Sequence, residues 1–482
     1  MKVAHIRSIF LGLLLVTCSA RAQNVLQLHP QNPHYFQYQG KPLIIIGSGE
    51  HYGAVMNLDF DYKTYLNTLG KEGLNHTRLF TGAYLEKQGD FGIKKNTMAP
   101  AEGRAILPWK RSNQPGYALG GNKFDLDQWD PAYFARLKDF MALASTSKVM
   151  VEVCLFSAHY GGGWNYAAFN PSNNINGTPE LEAKDVNTLN NKGLLARQEA
   201  YVRKLVRELN GFGNFYFEIQ NEPWADNTEI VFTRNDYGES PWTDKIQVVS
   251  QASNEWQKKV ASWIKDEESK LANKHLISQN ISNFYYPITE PDPQIDIFNF
   301  HYAYPRAASE NYYLNKVLGF NETGFAGGED DTYRRQVWQF VMAGGALFSH
   351  LDYSFSVGQE NGQDTTYESP GGGSPDLRKQ FGILKSFMET HDLVNLKPDA
   401  SVVKAAPGAT TLAMSNGSGM WVVYWESLAV KSYDITLTLP AGSYSTEWMD
   451  VTTGNIVSKG AVNDNKLAVP GLADMVLVVR RK

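Results

Sequence analysis

Residues 214–224 read NFYFEIQNEPW, an aromatic and apolar run that ends in two amides, a carboxylate, a proline and an indole. The apolar part has the length and the residue types of a buried β-strand. Pro223 has no backbone N–H and cannot extend a hydrogen-bonded ladder, so the strand is expected to end at the polar residues before it. A strand that ends in Asn221 and Glu222 raises the question of whether the chain contains more strands of this kind.

Short apolar runs do recur along the chain, and they alternate with amphipathic stretches. The eight predicted strands are residues 42–47, 74–80, 149–156, 214–220, 276–279, 295–300, 316–320 and 346–351. Helices are predicted between them, for example at residues 131–144, 194–209, 245–270 and 332–343. Asp130-Pro131 and Ser374-Pro375 each place an N-cap residue before a proline, which is typical of a helix N-terminus. Eight strands alternating with helices predict an α/β fold, a parallel (β/α)8 TIM barrel.

The pattern changes near Asn395, where period-two alternation replaces the helical stretches. Strands are predicted at residues 420–425, 433–439, 444–448 and 475–479, with turns between them. We therefore expect residues 23–394 to form a barrel catalytic domain and residues 395–482 to form a small antiparallel β-sandwich. Three tryptophans of the second segment, Trp421, Trp425 and Trp448, are expected in its core, with glycan binding as the alternative.

The N-terminus predicts export. Lys2 and Arg7 precede an apolar stretch that is too short to cross a bilayer, and Ala20-Arg21-Ala22 offers a cleavage site. Residues 1–22 are therefore expected to be a signal peptide, and the mature protein to be secreted or periplasmic. Lipid anchoring through Cys18 is the alternative, but Thr17 is a poor residue before a lipidated cysteine.

Composition excludes some classes of function. The chain has 482 residues, is 43% hydrophobic and carries a net charge of -5, whereas a nucleic-acid-binding protein would normally present a basic face. No later segment has the length of a membrane span. The sequence contains neither a His-Glu-x-x-His motif nor a cysteine cluster, so no metal and no other cofactor are expected.

Two acidic residues follow predicted strands in a way that suggests chemistry. Glu222 follows the fourth strand and Glu322 follows the seventh, so both belong to the barrel face on which the strands end. Two carboxyl groups about 5–5.5 Å apart across that face suit a retaining glycosidase, in which one is the nucleophile and the other the proton donor. Glu329, farther along the same loop, is the alternative nucleophile, although acids there also suit the start of a helix.

These residues resemble glycoside hydrolase clan A, the barrel enzymes that include the family 5 cellulases and mannanases. The resemblance extends over roughly residues 30–390. Asn221-Glu222-Pro223 is similar to the clan's strand-four motif, in which the acid/base follows an asparagine, and Glu322 stands where the clan has its nucleophile. The resemblance to the clan also implies that Asn221 hydrogen-bonds the sugar 2-hydroxyl.

Two further motifs are similar to those of the clan. Residues 75–80 (NHTRLF) resemble the strand-two motif, which implies that Arg78 lies beneath the nucleophile. Residues 300–302 (FHY) resemble the strand-six motif, which implies that His301 and Tyr302 hydrogen-bond the catalytic pair. The clan usually has a tryptophan after strand eight, and this chain has none there. Tyr353 or Phe355 is expected in its place.

Other side chains near strand ends are candidates for contact with the substrate, with packed core or loop residues as the alternative. They are Trp164, Trp224 and His159, together with His51 and His350. A glycan on the sequon at Asn321 would block the site, which indicates a bacterial source or an inaccessible sequon.

The expected function is hydrolysis of a β-linked polysaccharide or oligosaccharide, with carbohydrate as the expected partner. A β-glucan or β-mannan and endo action are favoured, because several long loops and tryptophans suit an extended cleft. Exo action, on plant cell-wall side chains for example, is the alternative, because the same loops suit a closed pocket. A non-catalytic glycan-binding barrel would be expected to lack one of the acids. A metal-dependent amidohydrolase would need a His-x-His pair after strand one, where residues 47–52 read GSGEHY.

Overall fold

The computed structural model describes residues 24–232, 245–427, 433–462 and 465–482. Its centre is a closed barrel of eight parallel strands, in which the fourth strand pairs with the fifth and the eighth with the first. The predicted TIM barrel is therefore confirmed. The barrel strands are, in chain order, Ile45–Gly49, His76–Phe80, Met150–Ser157, Phe215–Asn221, Ile277–Asn283, Ile297–His301, Val317–Thr323 and Leu347–Leu351.

Helices surround the barrel and pack their apolar faces on it. The two predicted N-terminus signals are confirmed: the side chain of Asp130 accepts a hydrogen bond from Ala132 N, and that of Ser374 accepts one from Leu377 N. The α-helices are Tyr62–Lys71, Pro131–Thr146, Ala183–Val186, Leu195–Leu209, Gln251–Ser269, Pro305–Ser309, Asp330–Met342 and Pro375–Thr390. Short 3₁₀ helices are Asp90–Gly92, Tyr160–Asn165, Pro171–Asn173, Pro223–Ala225, Tyr312–Leu314, Leu393–Asn395 and Ala400–Val402.

The prediction of a helix over residues 245–270 was wrong at its start. Lys245–Val249 is a strand that pairs antiparallel with Thr228–Phe232, and the helix begins at Gln251 after the N-cap Ser250. Its sequence KIQVV alternates and is rich in β-branched residues, which is a strand signal. Two further small sheets lie outside the barrel, formed by Gln27–Leu28, Phe36–Tyr38 and Lys41–Leu43, and by Trp109–Pro115 and Asn122–Trp129.

The C-terminal segment forms two antiparallel sheets around a core of its own, as predicted. The larger sheet contains Lys397–Pro398, Thr410–Ser415, Met420–Glu426, Tyr444–Asp450, Ile456–Val462 and Asp474–Arg481, and the smaller contains Val403–Ala405, Asp434–Leu437 and Lys466–Ala468. Trp421, Trp425 and Trp448 are buried in that core. They therefore pack the sandwich and do not offer exposed rings to a glycan.

The sandwich is docked on the helix Asp330–Met342, which follows the seventh barrel strand. Asp474 of the sandwich accepts hydrogen bonds from Arg334 Nη2 at 2.5 Å and from Arg335 Nε at 3.1 Å. Beside this ion pair the rings of Trp338 and Tyr424 stack with their centroids 5.5 Å apart. The two domains therefore meet through a buried charge cluster and an aromatic contact.

Within the described residues, no helix combines the length and the apolar character that crossing a membrane requires. The predicted signal peptide, with Cys18, lies outside the described residues.

Candidate active site

The ends of the fourth and seventh strands bring two carboxylates to one cavity. Glu222 directly follows Phe215–Asn221 and has φ 43°, a left-handed conformation, before Pro223 begins a 3₁₀ turn. Glu322 lies within Val317–Thr323, paired in register with His301 of the sixth strand. One carboxylate oxygen of each glutamate and one ring nitrogen of His301 all lie within 4.8 Å of one another.

Glu322 is surrounded by hydrogen-bond donors. Its Oε2 accepts from Arg78 Nη1 at 2.8 Å and from the Tyr52 hydroxyl at 3.0 Å, and its Oε1 accepts from the Tyr302 hydroxyl at 3.0 Å. Burial opposes ionisation of this carboxyl, but the charges of His301 and Arg78 outweigh burial and hold the pKa of Glu322 well below its usual range. Glu322 is therefore ionised at any ordinary pH and its two oxygens are fixed in direction.

Glu222 has a different environment. Its Oε1 lies 2.7 Å from His301 Nδ1, and its side chain keeps 12% of its surface exposed to the cavity. Burial raises the pKa of Glu222, and the negative charge of Glu322 raises it further, while His301 pulls it down. The pKa is thus raised for Glu222 and lowered for Glu322, which is the difference that a proton donor and a nucleophile require.

His301 joins the two acids. Its Nδ1 is also 3.5 Å from Glu322 Oε1, while Asn280 Nδ2 approaches the other ring nitrogen at 3.1 Å. Burial opposes protonation of the ring, but the negative charges of Glu322 and Glu222 at Nδ1 outweigh it and raise the pKa of His301 to about 9. Nδ1, which faces both carboxylates, therefore carries a proton at neutral pH. A protonated Nδ1 has no lone pair for a metal ion, although the spacing of the three groups resembles a ligand set.

Arg78 lies below the carboxylates and connects them to the barrel interior. Its guanidinium pairs with both oxygens of Glu218, a residue of the fourth strand whose side chain is fully buried, and donates to Asn221 Oδ1 at 2.7 Å. Asn280 Nδ2 also donates to Glu218, at 2.9 Å. Because Glu218 takes up the other edge of Arg78, the guanidinium can point only one nitrogen at Glu322.

The cavity above these residues has a volume of about 120 Å³. Five residues that the sequence singled out line it, namely His51, Asn221, Glu222, Tyr302 and Glu322. Arg78 and His301 lie behind its wall and touch the acids directly. The remaining lining residues are Tyr52, Phe80, Glu86, Phe91, Tyr160, Phe325 and Leu351.

The other predicted contact residues are buried around the cavity and do not line it. Trp164 donates its indole N–H to Leu181 O at 3.0 Å, and His159 packs edge-on against that indole. Trp224 is 2% exposed and packs edge-on against His301. Tyr353 is buried after the eighth strand, where Leu351 forms the cavity wall.

The remaining candidates of the sequence lie elsewhere. Phe355 packs against Tyr65, and His350 Nδ1 contacts Ser48 Oγ at 2.9 Å. Glu329, the alternative nucleophile, is exposed at the start of Asp330–Met342. Asn321 is fully buried and donates its amide to Glu152 at 3.1 Å, so the sequon is inaccessible in the folded barrel.

Sequence reasoning missed Tyr52 and Glu218. A signal for Glu218 was present, because a lone acid inside an aromatic strand needs a cationic or hydrogen-bonding partner. Tyr52 carried no comparable signal, since its φ of 58° and its contact with Glu322 arise from the loop after the first strand. Glu86, which lies on the loop after the second barrel strand, was also missed.

The chain matches no protein-family model, and no curated protein matches it in sequence. Solved structures do match its fold. A presumed glycoside hydrolase from Bacteroides vulgatus aligns with a TM-score of 0.65 and 12% identity, over 95% of this chain and 82% of that one. A glycoside hydrolase family 5 structure from the same species aligns with a TM-score of 0.61 and 13% identity, over 95% and 93% of the two chains. A third structure, described as a glycoside hydrolase, gives 0.62 and 13%, over 95% and 97%. The chain therefore shares its fold with these glycoside hydrolase structures.

Proposed function

We propose that the protein is a retaining glycoside hydrolase that cleaves a β-linked glycan. The observation that carries this proposal is the pair Glu222 and Glu322, whose nearest carboxylate oxygens lie within 4.8 Å across the cavity. Retaining enzymes have carboxyl groups about 5–5.5 Å apart, whereas inverting enzymes need about 6.5–9.5 Å to admit a water molecule. The likeness in fold to glycoside hydrolase structures supports the same conclusion.

The first step uses Glu322 as the nucleophile. Its ionised oxygen attacks the anomeric carbon as the bond from that carbon to the leaving oxygen breaks, and a glycosyl ester forms on Glu322. Glu222, whose raised pKa keeps a proton available, transfers that proton to the leaving oxygen. The alcohol then departs with the electron pair of the broken bond.

The second step reverses these roles. Glu222, now a carboxylate, accepts a proton from water as the water oxygen attacks the anomeric carbon and releases Glu322. Two inversions return the original configuration. Tyr52, Tyr302 and Arg78 hold Glu322 in place through three hydrogen bonds, so little reorganisation is needed in either step.

The expected substrates are β-glucans, β-mannans and related oligosaccharides, and the enzyme is proposed to act outside the cytoplasm. The test is a screen of the wild type, Glu222→Ala and Glu322→Ala on β-glucans, mannans, xylans and aryl β-glycosides. We expect the wild type to release product with retained anomeric configuration, read by NMR, and both variants to lose nearly all activity. A 2-deoxy-2-fluoroglycosyl fluoride should label Glu322, as located by peptide mass spectrometry. Inverted product, or full activity in Glu322→Ala, would contradict the proposal. Binding of glycans without cleavage would instead indicate a carbohydrate-binding barrel.

A further inference from the structure

We propose that Glu86 and His51 form a recognition site for sugar hydroxyls that closes the cavity on the side of the nucleophile. This site would restrict the enzyme to removing single neutral sugars from non-reducing ends. The inference rests on the proposed hydrolase function and decides between endo and exo action. Its basis is the position, burial and free hydrogen-bonding capacity of these two side chains.

Glu86 belongs to the loop after the second barrel strand and lines the same cavity as both acids. It is 5% exposed, and Asn96 Nδ2 donates to its Oε2 at 2.5 Å. Its backbone N–H donates to Met98 O at 3.1 Å, which fixes the loop on which it is carried. Since a buried carboxylate has about four acceptor sites, these contacts leave Glu86 able to accept hydrogen bonds from a ligand.

His51 lies next to Glu86, with Nε2 3.6 Å from Glu86 Oε2. Its side chain is 10% exposed, and its Nδ1 is buried without a hydrogen-bond partner among the described residues. The hydroxyl of Tyr160, on the same cavity wall, also has no such partner. Buried polar atoms are nearly always satisfied, so two unsatisfied ones on side chains that line one cavity indicate that a polar ligand completes them.

The pair lies on the side of the cavity where the nucleophile acts. His51 packs edge-on against Tyr52, with ring centroids 5.4 Å apart, and the Tyr52 hydroxyl donates to Glu322 at 3.0 Å. The sugar whose anomeric carbon Glu322 attacks must therefore lie against this wall. Glu86 and His51 would hydrogen-bond hydroxyls of that sugar, away from the bond that is broken.

The size of the cavity limits how much glycan it holds. Its volume of about 120 Å³ is well below the roughly 300–1,000 Å³ of sites for drug-sized ligands, and it suits one sugar ring. Phe91 and Phe325 line the cavity yet remain 41% and 38% exposed, so their rings mark its opening to solvent. The leaving group departs past these rings, which provide apolar faces for a second sugar or an aryl group.

The charge of the cavity limits the kind of sugar. Glu86, Glu222 and Glu322 line it together, with His51 as the imidazole on the wall. Arg78 and His301 offset the charge of Glu222 and Glu322, whereas Glu86 is contacted by the neutral amide of Asn96 and by His51. A uronic acid would place a further carboxylate beside Glu86, and like charges in a buried site are unfavourable. The substrate class is therefore a neutral β-linked terminal sugar.

The mode of action is tested with gluco- and manno-oligosaccharides labelled at the reducing end, and with the same chains methylated at the 4-hydroxyl of the terminal non-reducing sugar. The preference for neutral sugars is tested with 4-nitrophenyl β-glycosides, among them the glucuronide. We expect monosaccharides as first products, at least about 10-fold slower cleavage of the methylated chains, and hydrolysis of neutral glycosides only. Internal cleavage of methylated chains at the normal rate, or a preference for the glucuronide, would overturn the inference but not the proposed mechanism. If the enzyme hydrolyses none of these substrates, the unmethylated ones included, both the inference and the proposed function are contradicted.

The role of Glu86 is tested with Glu86→Gln, which keeps the volume of the side chain but loses the charge. We expect kcat/KM to fall by about 10- to 100-fold, mainly through KM, because hydrogen bonds to a charged group are stronger. Glu180→Gln, at an exposed position, is the matched control. If Glu86 binds a sugar hydroxyl, the wild type should discriminate against the corresponding deoxy sugar and the variant should not. Equal discrimination by both proteins, at unchanged Tm, would overturn the assignment.

Discussion

His301 Nδ1 lies 2.7 Å from Glu222 Oε1, so the proposed proton donor shares its shortest polar contact with a buried imidazole. The same nitrogen is 3.5 Å from Glu322 Oε1. Groups this close gain and lose protons as a cluster, and the two limbs of a pH–activity curve then belong to the cluster and not to single residues. The imidazole therefore sets the pH range in which Glu222 is protonated while Glu322 is ionised.

Replacing His301 by asparagine should move the basic limb of the pH–activity curve to higher pH. The cationic ring lowers the pKa of both Glu222 and Glu322, so its removal raises both. Glu322 is ionised at any ordinary pH in the wild type, so the visible change should be in the basic limb, where the cluster loses the proton held on Glu222, and this limb should shift upward. The measurement is kcat/KM from pH 4 to pH 10 on an aryl β-glycoside, with His391→Asn as control. A basic limb that moves to lower pH would show that the ring is neutral in the active enzyme.

The same histidine should make folding stability depend on pH. Its pKa is raised from 6.5 to about 9, so its stabilising contribution is complete below pH 6.5 and is lost as pH rises through about 9. That difference corresponds to at most about 3 kcal/mol. We expect the free energy of unfolding of the wild type to fall toward that of His301→Gln between pH 6.5 and 9. Urea unfolding of both proteins across this pH window measures the free energy of unfolding. A difference in that free energy that stays constant with pH would contradict the raised pKa of His301.

The two acids should respond differently to the leaving group. Glu322→Ala removes the nucleophile and should lower kcat by about 10⁴-fold or more on every substrate. Glu222→Ala removes the proton donor and should lower kcat/KM about 10²–10⁴-fold on alkyl glycosides, but far less on 2,4-dinitrophenyl glycosides, whose leaving group needs no proton. Its kcat should stay low on both, because the second step still lacks its base. Glu329→Ala, at the exposed acid nearby, should leave the rate unchanged. Steady-state kinetics on a leaving-group series distinguishes these cases, and equal losses for Glu222→Ala throughout would exclude its role as the acid.

Substitutions of Arg78 and Glu218 should change the folding stability and the activity of the protein independently. Arg78→Met leaves Glu218 buried without its cation, and loss of one partner of a buried pair typically costs about 3–5 kcal/mol. Adding Glu218→Met removes the stranded charge, so the double variant should regain much of that stability. Its activity should stay low, because Glu322 still lacks the donor at 2.8 Å. Urea unfolding combined with kcat/KM tests this, and a double variant no more stable than Arg78→Met would contradict it.

The barrel was predictable because each strand carries a local signal. All eight predicted runs overlap the observed strands, since short apolar segments between helical patterns have few alternatives. The error at Lys245–Val249 arose because a five-residue strand directly before a helix shares its apolar residues with the helical period. Sequence patterns define elements better than they define their ends.

Within the site, only the residues that belong to recognisable sequence motifs were predictable. Glu222, Glu322, Arg78 and His301 meet because parallel strands end on one face of the barrel. Tyr52 and Glu86 lie on loops, and a loop side chain reaches the cavity through a backbone path that no periodicity describes. The tryptophans misled for a related reason: Trp164 is aromatic and follows a strand, but its N–H is satisfied by Leu181 O inside the protein.

The ion pair between Arg334 and Asp474 has a consequence for how the protein is handled. A gene shortened after codon 394 would encode a barrel with Arg334 deprived of its carboxylate and with Trp338, now fully buried, stripped of the Tyr424 ring. Such a fragment would expose a charged and apolar patch on the helix that follows the nucleophile strand, and an exposed patch of this kind promotes aggregation. The smallest portable unit for expression, module swapping or laboratory evolution is therefore the barrel together with its sandwich.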